Sequence, residues 1–432
     1  MNAQRLETSR LFQRFGFGPR PGEYAAALKN GVAATRTKLL TVPAVDAGAA
    51  AIPAPAITDL GPRPAPNSKE VVPFAIELRN QISIMTLWWL DRMALSDNGL
   101  TERMTWFWHG HWATSIQKVN FAMPMYRQIN TLRTNALGNF KGMSRAMIND
   151  GALQFWLDGQ DSTLKAPNEN LGRELMELFV LGVGRYTEDD VKAAARALTG
   201  YQVKLSSGDV TFEPKRHDPT LITILGTTQA FTGETLSDFL VARNDCQKFI
   251  PERLWYRFIS STNPMPDSFS AVSAFSGREI SAAVNAMAND AAMRDESNDL
   301  VKSPVEWFIS ACRALGLTPS KLTTPGQLVS YLDKLGQVPL NPPNVGGWPA
   351  AEAWLSSATA QTRIAFAAWL IKQADLKVLT DIPVENRVLK SADWLGVAEW
   401  TPRTQAALRN SLADPAQFAL LAVCSPEFIV SA

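Results

Sequence analysis

Only three histidines occur in this 432-residue chain, and two stand two apart in the aromatic stretch Trp106-Phe107-Trp108-His109-Gly110-His111-Trp112. An imidazole titrates near neutrality, so one set among large apolar side chains suits proton transfer or, when neutral, metal ligation. On a regular helix a spacing of two turns side chains about 200° apart, onto opposite faces. Ligation of one metal by both therefore requires the helix to end near Gly110, with one or both rings turned toward Glu174 and His217. His217 precedes Asp218 in a loop, and with it the metal-ligand set reads His109, His111 and His217. The ion expected there is divalent, such as zinc, iron or manganese, and would lower the pKa of a bound water to make a nucleophile. The plainer reading makes these histidines partly buried residues bonded to backbone carbonyls.

A second group of titratable residues lies in Asn168–Gly182, NENLGRELMELFVLG. Glu174 and Glu177 sit three apart and share a helix face, and Arg173 has Glu169 and Glu177 four residues to either side. If the face is solvated, such pairs are worth only a few tenths of a kcal/mol each. Yet Leu171, Leu175, Met176, Leu178, Phe179 and Val180 cover most of the circumference, which predicts burial. Buried carboxylates must be paired, protonated or bound to a cation. The expected catalytic residues are therefore Glu174 and Glu177 as acid and base, with Arg173 and Asp218 beside them. Asp189 and Asp190 read instead as acids capping a helix N-terminus.

The elements that must position these groups follow from periodicity and punctuation. Residues 5–16 and 21–40 predict helices, and 42–67, rich in Ala and Pro, a surface loop. The span 70–96 is dense in apolar residues at helical period and leads through Asp97-Asn98-Gly99 into the histidine segment. Helices are expected over 124–137, 141–149, 151–157, 168–183 and 187–198. Residues 201–231 then change character. Two short strands around Ser206-Ser207-Gly208-Asp209 predict a β-hairpin, with a third strand over 220–225. Helices return over 236–260, 281–292, 304–315 and 324–335, followed by a Pro/Gly-rich structured loop over 339–349 that carries Trp348. Helices over 352–373, 403–412 and 415–423 finish the chain. The sum is a mostly α fold, a large single helical domain over 1–432 with a small β insertion at 201–231.

Composition narrows the function classes. Lys and Arg number 42 against 41 Asp and Glu, so the +1 net charge argues against a nucleic-acid partner. No run approaches the ~18 apolar residues of a membrane span. No apolar leader follows the N-terminus, so a cytoplasmic location is the default expectation. Cys246, Cys312 and Cys424 are scattered and predict small buried hydrophobes rather than disulfides. The absence of GxxxxGK[ST], GxGxxG, GxSxG and HExxH sets aside the commonest phosphoryl-transfer, dinucleotide and hydrolase frameworks.

Several stretches together resemble a known family. They are RLFQRFGFGP, WWLDRMALSDNGLTERMTWFWHGHWATS, PNENLGRELMELFVLGVGRYTEDDVKAAARALTGY, RHDP, ERLWYRF, KSPVEWF and NPPNVGGWPAAEAWL. In this order, and over nearly the whole chain, they resemble the bacterial domain-of-unknown-function 1800 family. The resemblance implies no defined activity. It implies that many relatives are exported, to periplasm or beyond, and are accompanied by a second protein similar to sulfatase-like enzymes. It also implies that the three histidines, Arg173, Glu174 and Glu177 fall within the family's identifying stretches. The scarce titratable groups in apolar segments lead to the expectation of an enzyme of hydrolytic or related acid/base type, using either a divalent metal or a metal-free Glu/His pair, with a small-molecule or glycan substrate. The alternatives are a non-catalytic helical interaction protein that supports a partner, and a polysaccharide-binding or -cleaving protein that uses its 13 tryptophans.

Overall fold

Three helices frame the aromatic segment: Val71–Leu95, Leu100–His111 and Ala122–Asn135. They belong to a computed structural model that describes residues 2–431. Glu102 locks the three together. Its carboxylate accepts from Trp89 Nε1 at 3.2 Å, Arg92 Nε at 2.8 Å and Arg133 Nε and Nη2 at 2.8 and 3.0 Å. Glu102 is 2% exposed, and a carboxylate so buried survives only when cations surround it. Burial alone would raise its pKa, but Arg133 and Arg92 outweigh burial and hold it below the ordinary value.

The first helix, Ala3–Arg14, is capped by Asn2, whose side chain accepts from the Arg5 amide. It is buried from Leu6 onward, even at Arg10 and Arg14. Arg14 is reconciled with the interior by donating to the carbonyls of Ile259, Asn298 and Ser431. That ties the start of the chain to its end, where Val430–Ser431 pairs antiparallel with Leu300–Val301. Buried apolar residues from Leu11 to Phe428 form one contiguous cluster.

The chain is 60% helical, and its strands make only two-stranded sheets, so the mostly α reading with a small β-hairpin holds. The hairpin Tyr201–Lys204 with Asp209–Phe212 lies where expected. The third strand does not join it. Ile222–Ile224 pairs with Thr227–Gln229 in a second hairpin, turned at Leu225 and Gly226, both with positive φ as a tight type I′ turn needs. Two helices expected as continuous are broken. Gly31, at φ 87°, divides Glu23–Asn30 from Val32–Leu40, and an extended Arg243 divides Gly233–Ala242 from Asn244–Phe258. The span 42–67 is irregular apart from one turn of helix at Ala47–Ala50. The helix Val384–Leu395 and the terminal strand pair are elements the sequence pattern did not announce.

The Pro/Gly-rich loop is ordered by the helix it covers. Ile116 N donates to Leu340 O at 2.8 Å, and the Trp348 ring stacks on Trp106 with centroids 5.1 Å apart. Gly347 has a positive φ, and a Cβ there would lie 2.3 Å from the Gly110 carbonyl oxygen. Only glycine lets the loop come this close. Replacing Glu102 tests the central lock. Glu102→Gln leaves Arg92 and Arg133 buried without their counter-charge, and urea unfolding at neutral pH should show a loss of about 3–5 kcal/mol. An unchanged midpoint would mean the two guanidiniums find other partners.

Candidate functional site

The aromatic helix runs through Gly110 and closes at Trp112, whose amide still donates to Trp108 O at 2.8 Å. The expected stop at Gly110 is thus one turn-fraction early, and both histidines project from helical backbone. Their rings diverge as a spacing of two demands. His109 is enclosed by Trp89, Trp106 and Trp348, with ring centroids 5.2, 6.1 and 5.5 Å away. Neither of its nitrogens has a hydrogen-bond partner. His111 points the other way, among Phe107, Trp108, Phe179 and Phe249. Its Nε2 meets the Phe179 carbonyl at 2.9 Å, which places the proton on Nε2 and leaves the Nδ1 lone pair unpartnered. Burial drives both histidines down to about 3, for His111 with help from the nearby Arg253 charge. Both are neutral at physiological pH.

His217 stands apart from them. Its Nδ1 lies 3.1 Å from Thr199 O and 3.2 Å from Thr199 Oγ1, and its ring packs on Phe212. Asp218 closes the same loop. Burial would raise its carboxyl, but Arg196 Nε at 2.6 Å and the Thr220 hydroxyl and amide hold it at about 2. It is therefore a fixed anion that orders the loop rather than a proton donor. Among the described residues, no three His, Cys, Asp or Glu side chains converge as a metal would require. The shared site of His109, His111 and His217 does not form, because the helix sends its two histidines apart and the hairpin loop holds the third.

The acidic helix departs from regularity at the residues of interest. Glu169–Glu174 is α-helical, and Leu175–Val180 widens into a π-helical turn, with Leu181 N donating to Met176 O five residues back. That turn aims the Phe179 carbonyl at His111. So His111 does meet the Glu174–Glu177 segment, but through its backbone and not its carboxylates. Glu177 accepts from the Tyr186 hydroxyl, and Arg173 forks onto Glu188 at 2.7 Å through both terminal nitrogens. Glu174, half-buried, is raised by burial and by the Glu177 charge, against Arg173. Among the described residues, no hydrogen bond or ion pair joins the side chains of Arg173, Glu174 and Glu177 to the histidine.

What the fold does bring together is a recess that sequence reasoning did not assemble. The space in it open to the centre of a water molecule is about 60 Å³. The aromatic helix supplies Trp106, Phe107, Gly110 and His111; one face of Asn244–Phe258 supplies Arg253, Tyr256 and Arg257; residues 302–306 supply Lys302 and Glu306. Arg103 also lines it and pairs with Glu306 at 2.5 Å. Arg257 donates to the carbonyls of Trp348 and Pro349, which fastens the Pro/Gly loop to the rim. Arg253 and Lys302 are different. Among the described residues, neither side chain forms a hydrogen bond or ion pair. Arg253 lies 5.7 Å from the Tyr256 ring centroid, and Lys302 Nζ sits 3.8 Å over the Phe428 ring. Burial lowers Lys302 to about 7 and Arg257 to about 10. The legible clue was Arg253 and Arg257, four apart in the otherwise apolar ERLWYRF, a pattern that puts two cations on one covered face.

A family model described as Protein of unknown function (DUF1800) matches residues 10–430. The chain belongs to the DUF1800 family. No curated protein and no solved structure matches it. In this DUF1800 chain, five of the stretches that carry the family resemblance meet at the recess. RLFQRFGFGP contributes Gln13 and Arg14, WFWHGHW the aromatic wall, ERLWYRF the arginines, KSPVEWF Lys302 and Glu306, and NPPNVGGWPAAEAWL Trp348 and Trp354.

The buried histidines give a pH signature. Their folded pKa of about 3 lies below the unfolded value of 6.5, so the unfolded chain binds more protons between those limits. Each histidine then removes about 1.4 kcal/mol of stability per pH unit as pH falls through that window. His109→Phe keeps the ring volume and removes one titration. Its unfolding free energy should fall less steeply from pH 6.5 to 4.5 than the parent's, with neutral-pH stability within about 1.5 kcal/mol. Parallel slopes for the two proteins would show that His109 is protonated in the folded state.

Proposed function

We propose that this protein is an enzyme of hydrolytic or related acid/base type, and that its reaction takes place in the arginine-lined recess with Lys302 transferring the proton. One observation carries the reading. Lys302 leaves the strand Leu300–Val301 with its backbone fixed to Ile429 O, and only 5% of the residue is exposed. Its ammonium lies on an aromatic face, with no carboxylate at bonding distance. Taken from water in this way, the amine titrates near neutrality, where one group can both accept and deliver a proton. The flanking Arg253 and Arg257 guanidiniums suit the stabilisation of negative charge as it develops on a substrate. His111, neutral and locked by the Phe179 carbonyl, offers an acceptor but is too weak a base at pH 7 to compete with Lys302.

A small-molecule substrate fits this recess better than a glycan platform. Trp106, Trp348 and Trp354, which would have to stack on sugar rings, are at most 5% exposed. No step is assigned to a metal, since the residues do not gather to hold one. The role of a sulfatase-like partner protein stays outside this reading.

The test is a panel of p-nitrophenyl esters, phosphates, sulfates and glycosides, run on the parent and on Lys302→Met. The reading expects turnover of at least one class, with a rate that rises with pH through a midpoint near the Lys302 value of about 7. Lys302→Met, which keeps length and loses the titrating amine, should slow it by roughly 10²–10⁴-fold while far-ultraviolet dichroism stays unchanged. A folded Lys302→Met protein that turns substrate over at the parent rate would remove Lys302 from the mechanism.

A further inference from the structure

We propose that the recess is a receptor for an oxyanion, a phosphate, sulfate or carboxylate group borne by the ligand, with Arg253 as its principal contact and Arg257 and Tyr256 beside it. This rests on the proposed function only in identifying the ligand as a substrate. The charge balance of the lining comes first. Arg14, Arg103, Arg253, Arg257 and Lys302 line the recess against a single carboxylate, Glu306. That carboxylate is already committed, to Arg103 at 2.5 Å and to the Ser303 amide at 2.9 Å. Arg14 and Arg257 satisfy part of their donors on backbone carbonyls, which neutralise no charge. Among the described residues the lining is therefore cationic, and Glu252 and Asp299, which act on Arg253 and Arg14, do so without an ion pair to either.

Geometry then selects the contact. Arg253 and Arg257 are four apart on Asn244–Phe258, so their guanidiniums extend over neighbouring parts of one helix face. Two like charges held close out of water repel, and burial together with the Arg253 charge lowers Arg257. A divalent or carboxylate oxyanion between them converts that repulsion into two favourable contacts. The planar guanidinium fork matches the oxygen spacing of such groups and binds them bidentately. Among the described residues Arg253 has no hydrogen-bond acceptor, so its fork is open to such a group. The Tyr256 ring lies near both, its centroid 5.7 Å from the Arg253 and 5.2 Å from the Arg257 guanidinium carbon.

The inference is tested by isothermal titration calorimetry on the full chain at low ionic strength. Inorganic phosphate, sulfate and citrate are the three ligands, each against chloride at matched ionic strength. The parent protein should bind at least one of the three saturably and chloride not at all, and the preferred arm names the class. Arg253→Gln breaks no hydrogen bond, so its melting temperature should match the parent's, while its affinity falls roughly tenfold or more. Arg253→Lys keeps the charge without the fork and should fall between the two. Absence of saturable binding of all three up to roughly 10 mM, or equal affinity in Arg253→Gln, overturns the proposal. Binding is read without turnover, so an anion that binds while the substrate panel stays silent sinks the enzymatic reading alone. Turnover lost in Lys302→Met with no anion binding sinks this one alone.

Discussion

Glu102 is the residue on which the arrangement of the site depends. A carboxylate at 2% exposure is tolerable only because Arg92 and Arg133 reach it from the two neighbouring helices and Trp89 adds a neutral donor. The pairing has a geometric consequence. It fixes the rotation of the Leu100–His111 helix about its axis, and with it the direction of every aromatic side chain that follows. His109 must then face Trp89 and Trp106, and His111 must face Phe179 and the recess side. The divergence of the two histidines is the ordinary result of helical periodicity applied to a helix whose rotation is pinned about two turns earlier.

A second theme is the use of buried arginines as backbone staples. Arg14 reaches the last strand and the end of Asn244–Phe258, and Arg313 takes the carbonyls of Gly18, Ala94 and Ser96. Arg278 takes those of Val241, Ala242 and Arg243 where two helices meet. Each satisfies carbonyls left over at helix ends and loops, which would otherwise be costly to bury. Arg14 and Arg278 also leave a positive charge without an ion-paired carboxylate among the described residues, whereas Arg313 has Glu23 at 3.7 Å. Where such residues border one recess, as Arg14 and Arg257 do, the structural device and the cationic site become the same object. Arg253 and Lys302, which staple nothing, are what distinguish the recess from scaffolding.

The elements were largely legible because most of them obey local rules. The capping box at Thr187 and Asp190, the positive-φ turn after Lys204 and the stop at Gly16 to Pro19 are set by a few adjacent residues. Where a rule is weak, the pattern misled. Arg243 has good helix propensity yet sits extended at the joint of two helices, where Arg278 takes the carbonyls of Val241, Ala242 and Arg243. The π turn at Leu175–Val180 is likewise invisible to a period of 3.6, and at its C-terminal end the Phe179 carbonyl takes the His111 ring as its partner.

For the site, the sequence by itself determined the ingredients. It marked His109, His111, Glu174, Glu177 and His217 as scarce titratable groups in apolar settings, and burial does suppress the ionisation of both helix histidines. It also determined that His109 and His111 could not share a ligand on an unbroken helix, because helical geometry is local. Which groups meet was decided by tertiary structure alone. Arg103, Arg253, Lys302 and Trp348 come from four segments spread over about 250 positions of sequence, and nothing in the chemistry of any one segment names the others. Their meeting follows from the rotation that Glu102 imposes, the close approach that Gly347 permits and the strand pairing that returns the C-terminus to Leu300. Those are long-range constraints, and no spacing along the chain encodes them.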